Sequence, residues 1–120
     1  MVRVIIERRV KAGKEITFSL VMIKLRTEAM KQPGFVTSEA WLGKDDQLLS
    51  IVISTWLSTE LWETWATSIE RQVILAELEP LLSCPTRLTV LMHPGEIEVN
   101  LGYKAPLDEH LIVGASDWEE

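Results

Sequence analysis

The chain has one cysteine and two histidines, and no apolar run of membrane-spanning length; each scarcity removes a class of function. A lone thiol, Cys84, makes no intramolecular disulfide. With Arg87 the only basic residue near it, it reads as a structural thiol rather than a nucleophile. His93 and His110 have no second His, Cys or carboxylate at metal-ligand spacing, so no metal is expected. A Gly-rich phosphate loop and a Ser-His-Asp order are both missing. No run of roughly eighteen apolar residues exists to span a bilayer. The opening Met1-Val2-Arg3-Val4-Ile5-Ile6-Glu7 lacks the apolar core of a signal peptide. The expectation is a cytoplasmic protein without a membrane partner. Basic charge is also scarce: twelve Lys and Arg stand against eighteen Asp and Glu, a net charge of -6, which argues against a nucleic-acid partner, whose phosphates require clustered cations. The densest basic run, Arg8-Arg9-Val10-Lys11, is too short for such a footprint and reads as the solvated end of a strand.

What is present suits a single globular core: 120 residues, 47% apolar and 25% charged, well away from the composition of disordered chains. Val2, Val4, Ile6 and Val10 alternate with polar residues, the period-two mark of a strand. After the Lys11-Ala12-Gly13-Lys14 turn, Phe18, Val21, Met22, Leu25 and Ala29 recur at helical spacing until Pro33-Gly34 stops the helix. Phe35 to Leu42 and Leu48 to Leu57 read as a hairpin around Gly43-Lys44-Asp45-Asp46. Ser58 or Thr59 caps a second helix, with Leu61, Trp62, Trp65 and Ala66 as its inner stripe. Thr67 and Glu70 have capping-box spacing, predicting a kink at Thr67-Ser68, with Ile69, Val73, Ala76 and Leu82 continuing the buried side. Thr86 to His93 is strand-like again. The order is βαββαβ: an α+β, ferredoxin-like fold with a four-stranded antiparallel sheet and both helices on one side.

The uncovered side of that sheet is informative. Strand three carries Ser50, Val52, Ser54 and Trp56 on one face and Leu49, Ile51, Ile53 and Leu57 on the other, so both faces are apolar and both need covering. A second copy packed on the open face is the expected solution. Residues 1–93 then form the domain. Residues 94–120, punctuated by Gly95, Gly102, Pro106 and Gly114, form a C-terminal extension for which wrapping of the partner subunit is the favoured reading over adding an edge strand or folding over a pocket.

The segment Ile53-Ser54-Thr55-Trp56-Leu57-Ser58, followed by Leu61-Trp62 and Trp65, resembles the antibiotic biosynthesis monooxygenase family. Ile6-Glu7-Arg8-Arg9, Gly13-Lys14-Glu15, Gln32-Pro33-Gly34-Phe35 and Glu79-Pro80-Leu81-Leu82 extend the likeness over about three quarters of the chain. The resemblance implies a dimeric α/β barrel with a small cavity between each sheet and its helices. It also implies one of several activities: cofactor-free oxygenation of aromatic compounds, haem degradation, or none known. The haem-degrading branch is implied to need a His on the second helix, a Trp there and an Asn on strand one. Trp65 matches, but Ala66 to Leu82 holds no His and Asn100 is the only Asn, which argues against that branch.

The cofactor-free branch asks only for a mostly apolar pocket that holds a deprotonated phenol or enol, which can itself give an electron to dioxygen. Trp65, Trp62, Trp41, Glu39 and Ser54 are the candidate pocket residues, with no bound cofactor or metal expected. Each also has a plainer reading. Trp62 and Trp65 at i, i+3 are equally a core pair, worth roughly 4 to 6 kcal/mol each at about 25 cal/mol per Å². Glu39, mid-strand, and Glu7, beside Arg8 and Arg9, are equally surface carboxylates. Two functions therefore stand: a cofactor-independent monooxygenase acting on a small aromatic or quinol-like compound, or a non-catalytic dimeric protein that binds a small apolar or aromatic ligand.

Overall fold

Along the first strand, β1 (Val2–Arg9), it is the even-numbered residues that leave solvent: Val2, Val4, Ile6 and Arg8 are buried while Arg3 and Arg9 are exposed. The computed structural model describes residues 1–95. In chain order these form β1, α1 (Glu15–Met30), β2 (Phe35–Leu42), β3 (Leu49–Trp56), α2 (Thr59–Ala66), α3 (Ile69–Leu78) and β4 (Arg87–Met92), with a 3-10 turn at Glu79–Leu81. The sheet order is β2-β3-β1-β4 and every neighbouring pair is antiparallel. With helices over one face only, this is the ferredoxin-like α+β arrangement expected from the sequence. The extension lies outside the described residues from 96 onward.

Register explains which residues meet. On the helix-covered face Trp56 pairs across Val2 to Met92, Ser54 across Val4 to Val90, and Arg8 lies opposite Ser50. Phe18, Val21 and Leu25 of α1, Trp62 and Trp65 of α2, and Ile74 and Leu78 of α3 close over these strands as one core. On the other face Ile5 lies opposite Ile53, Glu7 opposite Ile51, and Trp41 opposite Ile51. There Trp41 is 59%, Leu57 57% and Leu91 47% exposed, an apolar strip on the helix-free side.

Three expectations are corrected. Arg8 is not at a solvated strand end: it is 2% exposed, because period two places it on the same face as Val4 and Ile6. The second break in the helical region falls where expected, but Ser68 rather than Thr67 caps α3, its hydroxyl accepting from the Arg71 amide at 3.2 Å. That shift turns Arg71, Ile74 and Leu78 inward and leaves Ile69 78% and Val73 60% exposed. Cys84 is exposed rather than structural. For α2 the cap is Ser58, accepting from the Leu61 amide at 3.2 Å.

Gly34 makes the tight entry into β2. Its φ is +88° and a Cβ there would lie 2.6 Å from the Leu61 side chain, while its carbonyl accepts from the Leu57 amide at 2.8 Å. Gly13 has the same backbone sign, φ +87°, but open space around it. Gly13→Ala is expected to cost about 1 kcal/mol from backbone alone, and Gly34→Ala at least about 1 kcal/mol more because α2 must also move. Urea unfolding midpoints of the two variants check the difference.

Candidate functional site

Between the covered sheet face and the three helices lies a cavity of about 190 Å³. Its walls are mostly apolar and aromatic: Ile6, Val52 and Trp56 from the sheet, Met22, Leu25 and Ala29 from α1, Phe35 from β2, and Trp62 and Trp65 from α2. The aromatic wall is continuous. Phe35 meets Trp56 edge-on at 5.5 Å, and Trp56 meets Trp62 at 5.7 Å with the rings at 62°, geometries that suit ring quadrupoles. Trp56 donates its indole N–H to the Ser54 hydroxyl at 3.1 Å, which leaves that hydroxyl's own proton available to a ligand.

The charged part of the lining is cationic among the described residues. Arg8, Arg71 and the exposed Arg26 contribute to the lining, together with Ser38 and Ser54, and among the described residues no carboxylate or imidazole does. Arg71 is 8% exposed; its Nη1 donates to the Ala66 carbonyl at 3.2 Å and its guanidinium lies 5.2 Å from the Trp62 ring centre, a cation–π contact. Arg8 is held far more loosely. Its Nη1 reaches only the Met22 sulfur at 3.7 Å, and Nε and Nη2 have no hydrogen-bond partner. Burial, and then the neighbouring charge of Arg71, lower the Arg8 pKa to about 10, so it remains cationic at neutral pH. Burial also lowers that of Arg71. Arg8 further borders a second cavity of about 480 Å³ beside Leu78, Leu82 and Cys84.

The candidates named from sequence divide by sheet face. Trp62, Trp65 and Ser54 line the cavity together. Trp41 and Glu39 do not: both are exposed, and the cavity is met instead by Ser38 and Ala40, their alternating neighbours on β2. Glu7 also points away, 3.4 Å from Arg87 on the helix-free face. Sequence reasoning missed Arg8, Arg71 and Trp56 as lining residues. Parity was the signal for two of them, since Arg8 continues Val4-Ile6 and Trp56 continues Val52-Ser54. For Arg71 the signal was its i, i+3, i+7 spacing with Ile74 and Leu78.

A four-stranded antiparallel sheet covered by helices on one face, with a cavity between the layers, places the molecule among ferredoxin-like α+β proteins. Its residues 1–76 match the family model described as antibiotic biosynthesis monooxygenase, and the chain belongs to that family. Among curated proteins no sequence relative matches. Solved structures share the fold at low identity. A conserved protein from Methanosarcina mazei Go1 matches with TM-score 0.71 and 18% identity, covering 74% of this chain and 88% of that one. SnoaB, a cofactor-independent oxygenase from Streptomyces nogalater, matches with TM-score 0.68 and 15% identity over 76% and 91%. Rv0793 from Mycobacterium tuberculosis gives TM-score 0.70 and 16% over 76% and 92%. Among the described residues no His, Cys, Asp and Glu group is arranged to hold a metal, and no helix is long and apolar enough to cross a membrane.

An unpaired buried charge with unmatched donors costs stability. Arg8→Met, which keeps length and removes the charge, is expected to stabilise the fold by about 1 to 3 kcal/mol. Urea denaturation of ligand-free protein checks the sign; a clear loss of stability contradicts it.

Proposed function

We propose that this protein is a cofactor-independent monooxygenase acting on a small aromatic or quinol-like compound, working in the cytoplasm as a homodimer closed through the helix-free sheet face. The observation that carries the reading is the indole-walled cavity with a cationic lining in a chain of this family. SnoaB, described as a cofactor-independent oxygenase, has the same fold. The cavity, at about 190 Å³, is smaller than the roughly 300 to 1,000 Å³ usual for drug-sized ligands, which favours a single-ring compound.

The chemistry balances without a bound redox group. A hydroquinone and dioxygen give a hydroxyquinone and water: one oxygen atom enters the ring, the other leaves as water, and all four electrons come from the substrate. The first requirement is an ionised phenol, because the phenolate is the electron-rich form. Guanidinium charge in a low-dielectric cavity lowers the pKa of a bound phenol, so proton loss to solvent suffices where the lining offers no base. In this scheme Trp62 and Trp65 sandwich or flank the ring and Ser54 donates to its oxygen. Trp41 and Glu39 belong to the subunit interface, and the 94–120 extension wraps the partner. A non-catalytic ligand-binding role is the second reading, favoured by a lining with no carboxylate or imidazole among the described residues.

Two outcomes are expected. Purified protein with chelator present consumes oxygen on addition of 1,4-hydroquinone, and Trp65→Phe slows that uptake about tenfold or more through loss of ring positioning; binding without uptake selects the second reading. Sedimentation at micromolar concentration gives a dimer, and Ile53→Arg on the open face converts it to monomer; a monomeric wild type overturns the assembly.

A further inference from the structure

Arg8 presents an unusual combination: a residue 2% exposed and still charged at neutral pH, with no carboxylate in contact among the described residues and two N–H-bearing nitrogens, Nε and Nη2, left there without acceptors. Buried charge is ordinarily paired, because desolvation without a partner costs several kcal/mol. Here Arg71 worsens the situation, since it is also buried and also cationic. Both side chains line the same cavity. Nothing in the fold requires a charge at position 8, which lies on the apolar face between Ile6 and Val10. Among the described residues nothing complements the charge, which leaves a place for an anionic ligand.

The chemistry of the donors narrows that anion. Nε and Nη2 form one edge of the guanidinium, the pair of parallel donors that engages both oxygens of a carboxylate side-on. A phenolate presents a single oxygen to that edge, whereas a carboxylate presents one oxygen to each donor. The remaining walls, Trp56, Trp62, Trp65 and Phe35, fit a flat apolar body. We propose that Arg8, supported by Arg71, is an anion-binding subsite for the carboxylate of a small aromatic acid. As a statement of substrate class this rests on the oxygenase reading and makes the substrate a ring-carboxylated hydroquinone; as a statement of binding it does not depend on any reaction.

The experiment compares benzoate with benzamide, its neutral near-isostere, on the wild-type protein at pH 7, read by indole fluorescence and by melting temperature. Benzoate is expected to bind at least tenfold more tightly. Arg8→Met is expected to erase that preference by weakening benzoate at least tenfold, and Arg71→Met to reduce it. Equal affinity of the wild type for the two probes overturns the proposal even if neither variant folds, and so does a preference that survives Arg8→Met. Oxygen uptake is then measured separately with 2,5-dihydroxybenzoate and 1,4-hydroquinone. A benzoate preference with no uptake from either leaves the carboxylate subsite standing and removes the oxygenase; uptake from hydroquinone with no benzoate preference does the reverse.

Discussion

The arrangement turns on one strand with a charge on its buried face. β1 is central, paired with β3 on one side and β4 on the other, so its alternation fixes what both faces of the sheet contain. Moving it by one residue would expose Val2, Val4 and Ile6 and bury Arg3 and Glu7, an exchange that a 13-residue core of this kind excludes. The same rigidity commits Arg8 to the interior. Its stem packs among apolar neighbours while its head lies in the cavity wall with too few partners. The fold tolerates that cost because the hydrophobic contribution of the surrounding strands and helices is much larger than one unmatched guanidinium.

The helices complete the site through their caps. Ser58 starts α2 so that Trp62 and Trp65 face the sheet, and Ser68 restarts the chain so that Arg71 reaches the same space. The break between α2 and α3 is thus functional in its geometry: it lets the Arg71 side chain donate back to the Ala66 carbonyl at 3.2 Å and lie against Trp62. Stability and site share residues here. The Phe35, Trp56 and Trp62 rings that anchor the hydrophobic layer also line the cavity, so a truncation such as Trp62→Ala removes core packing and cavity wall together.

The helix-free face shows a different economy. Ile5 on β1 and Ile51 and Ile53 on β3 form a shared apolar row across two strands, with Trp41 and Leu91 exposed toward the edges. Charges share that face, where Glu7 on the central strand meets Arg87 and Arg9 meets Asp46 at 2.7 Å. Such exposed pairs add little stability.

Local pattern alone determined the order of strands and helices, the hairpin around Gly43, the stop at Pro33-Gly34 and the apolar character of both sheet faces, because each depends on spacing within a few residues. It also placed Trp62, Trp65 and Ser54 on elements that converge. It did not separate Ser54 from Trp41 and Glu39, since which side of β2 meets the cavity depends on a register irregularity between Phe35 and Thr37. Nor did it bring Arg8 and Arg71 together from positions 63 apart in the chain. Residue type suggested water for Arg8; only the closing of helices over a central strand decided that these two charges would line one largely apolar space.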